Sequence, residues 1–295
     1  MNEDYYSQVK RLAEAANEAN PEIDIFAKRE RGRVPTQAFS DFLTNKEQGD
    51  WAEQLMLKIL NANLKENESI SYGHSDTLIA GDQRFKEFYE KYQDELDKIG
   101  KCPDILIFKR RNLSSDKKAK FEQDLPREKL IDIVKLAECG LEVRSSAFLV
   151  SKYIEYMKNK NDKNDKERTF LSFTPKVEDI AVILKWIEVH NVPHYYVQVF
   201  FDSIYVLPFI SILELLAKKE TTKYTIEKNA KNQFKSTIHI NINEGIRLTD
   251  DVKLPKHNSK MKELDRGRLL FYVTFATSEL PKNIDEDKLR KAFNL

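Results

Sequence analysis

The sequence predicts an α/β fold in which helices flank a central mixed β-sheet. Between residues 100 and 209, short apolar runs alternate with segments of helical spacing, an order typical of an α/β core. A helical N-terminal region precedes this core, and β-rich sequence follows it from residue 221. Because no Gly/Ser- or Pro-rich linker divides the 295 residues, we expect a single domain over 1–295, with its core at about 49–210 and a β-rich C-terminal appendage at about 221–295.

Helices are predicted where apolar residues recur at helical spacing between capping signals. In chain order they cover residues 4–19, 36–43, 50–64, 83–99, 128–137, 147–158, a segment that starts at Thr174-Pro175, and 286–293. Strands are predicted where β-branched and aromatic residues cluster between turn signals. They cover residues 105–108, 141–144, 170–173, 195–201, 204–209, 238–242 and 268–277. Residues 70–83 are predicted as a loop, and 109–128 as a solvated loop or short helix.

Local signals refine four of these elements. Asp50 is the predicted N-cap of the helix at 50–64, and Glu53 stands three residues later, as in a capping box. Thr174-Pro175 have the favoured order for an N-cap and a first helical residue. Asp202-Ser203 between two strands indicates a tight hairpin. The helix at 147–158 is predicted to turn its apolar side chains mostly inward: Phe148, Val150, Tyr153, Ile154 and Met157.

Composition excludes several classes of protein. The formal net charge is only +1, so any nucleic-acid surface must be local and not a property of the whole chain. Cys102 and Cys139 have no Cys or His partners at ligand spacing, so a zinc site is not expected. Neither GxGxxG nor GxxxxGK[ST] occurs, so no nucleotide cofactor is expected. No apolar run is long enough for a bilayer and the start is polar and acidic, so we expect a cytoplasmic protein without a membrane partner.

The pattern most informative about function is Pro103-Asp104 followed by Glu142-Val143-Arg144, with each part on an apolar stretch. Strand alternation places Glu142 and Arg144 on the same face. Mg²⁺ prefers one or two carboxylates together with waters and phosphate oxygens, so Asp104 and Glu142 are candidate metal ligands, and the carbonyl of Val143 is a third. The alternative interpretation is a common loop ending followed by a solvated strand face.

Two further residues are candidates for the same site. Glu53 lies on a helix and is able to supply or orient a metal ligand. A capping role alone is slightly favoured by its position, but the two roles are compatible, so Glu53 is a secondary candidate. Because the guanidinium of Arg144 stays protonated, a titratable amine would have to come from elsewhere, and Lys152 is the nearest in the sequence after Glu142. The alternative for Lys152 is a solvated lysine on the polar side of its helix.

Three basic clusters are candidates for contacts with DNA: residues 28–33, 228–235 and 253–268. The middle cluster interleaves amide side chains, which pair with adenine, among lysines. The candidate DNA-binding residues are Arg31, Arg33, His74, Lys176, Lys231, Gln233, Lys235, Arg266 and Arg268. For any single cluster a solvated face is the competing interpretation, and the five histidines show no catalytic or ligand spacing.

Five sequence blocks together resemble the AccI family of Type II restriction endonucleases, within the PD-(D/E)XK nuclease superfamily. They are Gly49-Asp50-Trp51-Ala52-Glu53, Cys102-Pro103-Asp104-Ile105-Leu106-Ile107-Phe108, Leu141-Glu142-Val143-Arg144-Ser145-Ser146, Phe170-Leu171-Ser172-Phe173-Thr174 and Val197-Gln198-Val199-Phe200-Phe201-Asp202-Ser203. The order of the blocks is more specific than any one of them, and the similarity runs from about Arg31 to the C-terminal strands.

The resemblance implies a Mg²⁺-dependent homodimer that cuts double-stranded DNA at a six-base palindrome of the GTMKAC type, with GTATAC as a narrower target. By position, Asp104 matches the superfamily aspartate and Glu142 its second acidic ligand. Arg144 stands where most of the superfamily has lysine. The attacking water is therefore activated either by metal and a phosphate oxygen, with Arg144 acting electrostatically, or by Lys152. Two other functions stay open: a repair or structure-specific PD-(D/E)XK nuclease, and a non-catalytic DNA-binding protein.

Overall fold

A mixed sheet of six strands forms the centre of the computed structural model, which describes residues 3–73, 78–123, 125–159, 170–229 and 235–295. The strands are β1 (Asn67–Ser71), β2 (Ile105–Lys109), β3 (Ala137–Ser146), β5 (His194–Phe200), β6 (Ile204–Pro208) and β9 (Ile246–Thr249), and this is also their order across the sheet. Strands β3 and β5 are parallel, and the other neighbours are antiparallel. The predicted mixed α/β fold class is thereby confirmed.

The described helices include some that pack on each of the two faces of this sheet. They are α1 (Tyr5–Ala19), α2 (Ser40–Asn63), α3 (Phe85–Ile99), α4 (Ser115–Phe121), α5 (Ile131–Val134), α6 (Val150–Asn159), α7 (Val177–His190), α8 (Phe209–Ala217) and α9 (Glu286–Phe293). Short 3₁₀ turns cover Arg110–Asn112, Arg127–Leu130 and Ile242–Glu244. Helix α1 begins at Asp4, whose carboxylate accepts a hydrogen bond from Ser7 N at 2.7 Å, as expected of an N-cap.

Strand β2 shows how the two faces of the sheet are covered. Ile105 and Ile107 pack with α2 and α9 on one face, whereas Leu106 and Phe108 pack with α1 and α7 on the other. All four side chains are buried. A strand buried on both faces has no polar alternation, which is why an uninterrupted apolar run marks it in the sequence.

The prediction that Asp50 opens a helix is wrong. Helix α2 runs without a break from Ser40 to Asn63, so Asp50 and Glu53 lie inside it and form no capping box. Asp50 instead forms an ion pair with Lys46, one turn earlier in the same helix, at 2.6 Å. The polar stretch before Trp51 resembles a loop in the sequence, but burial of Leu43 and Trp51 on one side keeps it helical, because tertiary packing overrides weak local propensity.

Three other boundaries differ from the predictions. Helix α7 begins at Val177, because Val177 N bonds to Ser236 O at 3.0 Å and the chain before it is extended. Strand β1 occupies the start of the predicted 70–83 loop and pairs with β2. The predicted helix at 128–137 is only a short turn plus the four residues of α5, since β3 already begins at Ala137. The predicted hairpin at Asp202-Ser203 is confirmed by the β5–β6 pairing.

Helix α6 does not bury the apolar face that its sequence predicts. It starts at Val150, which is buried, but Phe148 is 50 % exposed and Ile154 is 46 % exposed. No other described element covers this side of α6 closely enough to bury both residues. The inward orientation predicted for Phe148 and Ile154 is therefore wrong.

The C-terminal region is joined to the core at two places. Strand β9 pairs with β6 and completes the central sheet. Strands β7 (Tyr224–Glu227) and β8 (Thr237–Asn241) form a small sheet with β4 (Ser172–Phe173), in the order β4-β8-β7. Strands β10 (Lys256–Glu263) and β11 (Leu269–Ala276) form an antiparallel ribbon beside α2. Among the described helices, none is both long and apolar enough to cross a membrane.

Candidate active site

Asp104 reaches the centre of the site because it immediately precedes β2. The β2–β3 register pairs Ile105 with Leu141, and Asp104 N donates to Leu141 O at 2.8 Å. The carboxylate Oδ2 of Asp104 accepts a hydrogen bond from Val143 N at 2.6 Å. The backbone of β3 therefore holds the aspartate side chain in one orientation beside Glu142.

Glu142 and Arg144 project from the same face of β3, as strand alternation predicts. Arg144 Nη2 lies 2.9 Å from Glu142 Oε1. Leu141 and Val143 point the opposite way and pack in the apolar cluster that contains α2. Glu142 is only 2 % exposed, so its charge needs nearby cations.

Two cations, Lys101 and Arg144, each contact both Glu142 and a second carboxylate, Asp179. Lys101 Nζ lies 2.5 Å from Glu142 Oε1 and 3.8 Å from Asp179 Oδ1. Arg144 Nη2 lies 3.1 Å from Asp179 Oδ2. We call Lys101, Glu142, Arg144 and Asp179 the charge quartet. Its two positive and two negative side chains balance one another, which limits the cost of burying them.

Asp104 and Glu53, which lie outside the quartet, form no ion pair with a described residue. A cavity of about 440 Å³ is lined by Glu53, Asp104 and Glu142, together with Lys46, Asp50 and residues of β3. We call it the carboxylate cavity. Burial, and then the negative charges of Glu142 and Glu53, raise the pKa of Asp104 well above its ordinary value. Burial, and then Asp50 and Glu142, raise the pKa of Glu53 to about 7.

Glu142 behaves differently because both cations of the quartet contact it. Burial by itself would raise its pKa, but Lys101 and Arg144 outweigh that effect and lower the pKa below its ordinary value. The same contacts, above all that with Glu142, raise the pKa of Lys101 to about 12 although burial opposes the shift. Glu142 is thus held ionised, and Lys101 is held as an ammonium ion.

The donor set suits a divalent cation. Glu142 Oε1 accepts from both cations, whereas Oε2 is buried and has no hydrogen-bond partner among the described residues. A buried carboxylate oxygen without a partner is costly unless a cation binds it. Within the described part of the chain, no three Asp, Glu, His or Cys side chains form a metal-binding group by themselves. Mg²⁺ is compatible with this set, since it commonly takes one or two carboxylates and completes its shell with water and phosphate oxygens.

The structure brings together four of the five predicted catalytic residues. Glu53, Asp104, Glu142 and Arg144 line the carboxylate cavity, as does Val143. Lys152 does not: its side chain is exposed on α6, pairs with Glu155 at 3.1 Å, and borders a separate cavity. The amine that contacts Glu142 belongs to Lys101.

Lys101 and Asp179 are the residues that sequence reasoning missed. Lys101 stands three residues before Asp104, and this closeness is the one signal that could have found it. Asp179 lies 35 residues from Arg144, on the first turn of α7, and no sequence pattern connects the two.

Two of the predicted DNA-binding residues converge. Lys176 and Lys235 line a second cavity of about 420 Å³, together with Arg29, Lys101 and Arg144. We call it the basic cleft. They meet because Lys176 forms an isolated antiparallel bridge with Thr237.

Four other predicted DNA-binding residues, among those that the structure describes, do not line this cleft, although Glu30 and Gly32 on either side of Arg31 do. Arg31 pairs with Asp94 and Asp97 of α3, which holds its segment against that helix. Arg33 is exposed, as is Arg266 in the turn between β10 and β11. Arg268 lies 5.1 Å above the ring of Phe39. Three predicted contacts, His74, Lys231 and Gln233, fall outside the described residues.

Comparison with known proteins matches the chain to one family, over two ranges of residues. Residues 3–166 and 160–295 match the family model described as AccI restriction endonuclease, so the two matches together extend over nearly the whole chain. No curated protein and no solved structure matches the chain at a significant level.

Proposed function

Because the chain belongs to the AccI restriction endonuclease family, we propose that it is a Type II site-specific deoxyribonuclease that requires Mg²⁺. The family consists of DNA-cleaving hydrolases whose partner is double-stranded DNA. The observation that carries the proposal is the asymmetry of Glu142, whose Oε1 is bound by two cations while Oε2 is buried and unpartnered beside Asp104.

In this proposal Asp104, Glu142 Oε2 and the carbonyl of Val143 hold Mg²⁺. The ion supplies Lewis-acid stabilisation of the negative charge that develops on the phosphate being cleaved. Val143 N orients the Asp104 carboxylate, and the charge quartet keeps Glu142 ionised. Glu53 lines the same cavity, and its pKa of about 7 lets it hold a proton at neutral pH when no cation is present.

Arg144 and Lys101 act electrostatically and not as general bases. The guanidinium of Arg144 stays protonated at any relevant pH, and the pKa of Lys101 is raised to about 12. Lys152 borders another cavity, so activation of the attacking water would fall to a bound metal ion and a phosphate oxygen, and not to Lys152. Both cations line the carboxylate cavity, where they are placed to stabilise charge on the phosphate.

The substrate proposed is a six-base palindrome of the GTMKAC type, of which GTATAC is one version. A palindrome has two-fold symmetry, and a two-fold homodimer places one carboxylate cavity on each strand. We therefore propose that the enzyme works as a homodimer. Sedimentation analysis of the free protein tests this, and a monomer at every concentration would contradict it.

A plasmid digest tests the activity. With Mg²⁺ we expect discrete fragments from the unmodified enzyme, and the sequences at the fragment ends identify the recognition site. Asp104→Asn should abolish cutting while DNA binding in Ca²⁺ is kept, because the change removes a charge but little volume. Asp116→Asn, an exposed change on α4, is the control and should cut normally.

Each alternative function gives a different result in the same digest. Nicking confined to junctions or other distorted DNA would indicate a structure-specific nuclease. A mobility shift without cleavage under any metal would indicate a non-catalytic DNA-binding protein. Full activity of Asp104→Asn would overturn the assignment of the site.

A further inference from the structure

The carboxylate cavity and the basic cleft share a wall. Lys101 and Arg144 line both of them. Within the charge quartet, Glu142 lines the carboxylate cavity and Asp179 lines the basic cleft. The ion pairs between these residues therefore form a partition about one side chain thick between the two cavities.

The cleft side of the partition is built from segments that are distant in the sequence. Arg29 comes from the segment before α2, Lys176 from the residue before α7, and Lys235 from the second residue before β8. The bridge between Lys176 and Thr237 and the bond from Val177 N to Ser236 O, at 3.0 Å, hold the two lysines together. Five cations and three carboxylates (Glu30, Glu178 and Asp179) line the cleft.

The two lysines differ from the other cations of the cleft because neither forms an ion pair within 4 Å with a described residue, although Lys176 lies close enough to Asp179 to interact with it electrostatically. Arg29 pairs with Asp97 at 2.7 Å, and Lys101 and Arg144 are committed to the charge quartet. Lys176 and Lys235 are exposed and have no ion-pair partner among the described residues. An exposed lysine is a point charge that binds phosphate through one of three rotatable N–H donors.

We propose that Lys176 and Lys235 bind the backbone phosphate next to the scissile one, so that the DNA strand crosses the wall formed by Lys101 and Arg144. Each strand of B-DNA carries one phosphate per about 3.4 Å of helix axis, so a partition one side chain thick separates neighbouring phosphates. This inference rests on the proposed function, since it takes the carboxylate cavity as the place of cleavage. The inference adds the direction in which the DNA strand leaves the carboxylate cavity, which is towards the basic cleft.

Phosphate contacts have a measurable signature that differs from base recognition. Loss of one lysine–phosphate contact weakens binding to all sequences alike and lowers the slope of log K against log salt by about 1. Because the two lysines share one phosphate, the Lys176→Ala/Lys235→Ala double variant neutralises one phosphate fewer in each subunit. In the proposed homodimer it should therefore lower the slope by about 2, for duplexes with and without the mapped site. Its fragment pattern should stay that of the unmodified enzyme, because these lysines read no bases.

The measurement is DNA binding in Ca²⁺ over a range of NaCl concentrations, by fluorescence anisotropy. Lys10→Ala/Lys218→Ala is the matched control: it removes two exposed lysines that line neither cavity and should keep the slope. Lys176→Arg/Lys235→Arg should also keep it. Glu178→Gln removes a carboxylate from the cleft and should tighten binding, the opposite sign.

Three outcomes would overturn the inference: an unchanged slope in the lysine-to-alanine variant, an equal fall in the control variant, or an altered fragment pattern. Both lysines are exposed, so equal melting temperatures are expected and exclude misfolding as the cause of a lower slope. Because binding is measured without cleavage, a protein that loses the slope but never cuts DNA would contradict the proposed function and leave the phosphate contact supported.

Discussion

At the scale of single residues, the metal-binding role proposed for Glu142 depends on which of its two oxygens is already bound. Lys101 and Arg144 both bind Oε1, so Oε2 is the oxygen available to a metal ion. A carboxylate that is buried and ionised needs this degree of compensation, because an unpaired buried charge is costly. The two cations therefore orient the Glu142 carboxylate, the proposed metal ligand, and keep it ionised at the same time.

Replacement of Lys101 by methionine tests this arrangement. The change leaves Glu142 and Asp179 with Arg144 as their one contacting cation, and removal of one member of a buried ion pair costs about 3–5 kcal/mol. We expect a lower free energy of unfolding and a loss of cleavage in Lys101→Met, with both partly restored in Lys101→Arg. Urea unfolding and the plasmid digest measure the two effects.

Lys98→Met is the control for that change. Lys98 lies three residues earlier at the end of α3, and its side chain is 65 % exposed beside Glu128. Exposed ion pairs contribute about 0–1 kcal/mol, so little change is expected. If Lys101→Met were as stable and active as Lys98→Met, the quartet would have no role in holding Glu142.

At the scale of elements, a short connection between α3 and β2 places both Lys101 and Asp104. Gly100 N bonds to Leu96 O at 3.1 Å and ends the helix, and Lys101 N then bonds to Val182 O of α7 at 3.0 Å. Gly100 has φ 80° and ψ −168°, a backbone conformation essentially restricted to glycine. A side chain there would meet Val182 O at 2.2 Å and Trp186 N at 2.4 Å.

Gly100→Ala should therefore displace this connection from α7. We expect a loss of at least about 2 kcal/mol in the free energy of unfolding, because the added Cβ overlaps backbone atoms that cannot move away separately. The cleavage rate should fall even at temperatures where the variant is folded, because Lys101 and Asp104 come directly after Gly100 in the chain and would be displaced with it. Thermal unfolding and the digest are the measurements.

Gly49→Ala serves as a comparison for stability within the same protein. Gly49 lies inside α2, and a Cβ there meets nothing within 4 Å. Alanine is favoured over glycine in a helix by about 1 kcal/mol, so this variant should gain stability. Equal losses from both glycine substitutions would contradict the explanation based on the conformation of Gly100.

At the scale of the whole molecule, the charge of the chain is distributed and not concentrated. The formal net charge is +1, yet five cations line the basic cleft beside a cavity rich in carboxylates. Local fields of this kind guide a polyanion without a large net charge. The interior also contains histidines whose burial favours the neutral ring, and they connect stability to pH.

His190 and His194 are such groups. They pack against Trp186 in the core, and burial lowers the pKa of each to about 4. Below pH 6.5, the ordinary pKa, these histidines take up protons in the unfolded chain but not in the folded one. The stability that the two neutral histidines contribute is therefore complete above pH 6.5 and is lost as the pH falls to about 4. The loss between pH 7 and pH 5 should be about 2 kcal/mol for each histidine.

His194→Phe tests this coupling. The ring contacts of His194 with Tyr196 and Phe209 suit an aromatic replacement, and the backbone bond from His194 N to Tyr5 Oη is kept. The difference in unfolding free energy between pH 7 and pH 5 should shrink by about 2 kcal/mol relative to the unmodified protein. An unchanged difference would mean that His194 is protonated in the folded protein at pH 5.

The sequence by itself determined the features that rest on local pattern. Apolar runs such as 105–108 and the turn at Asp202-Ser203 identify strands of the mixed sheet, and α1, α3 and α9 follow from helical spacing and caps. The order of the motif blocks identified the AccI family, which the match over residues 3–166 and 160–295 confirms. The same blocks predicted Asp104 and Glu142 as site residues, and the structure places both on the wall of one cavity.

Only the tertiary structure decided what depends on contacts between distant segments. The continuity of α2 from Ser40, which leaves no helix start at Asp50, comes from burial of Trp51 and not from local propensity. Strand pairing brings Lys176 beside Lys235, and packing of α7 brings Asp179 to Arg144. Such contacts leave no periodic trace in the sequence, because they depend on how elements pack and not on how each one forms.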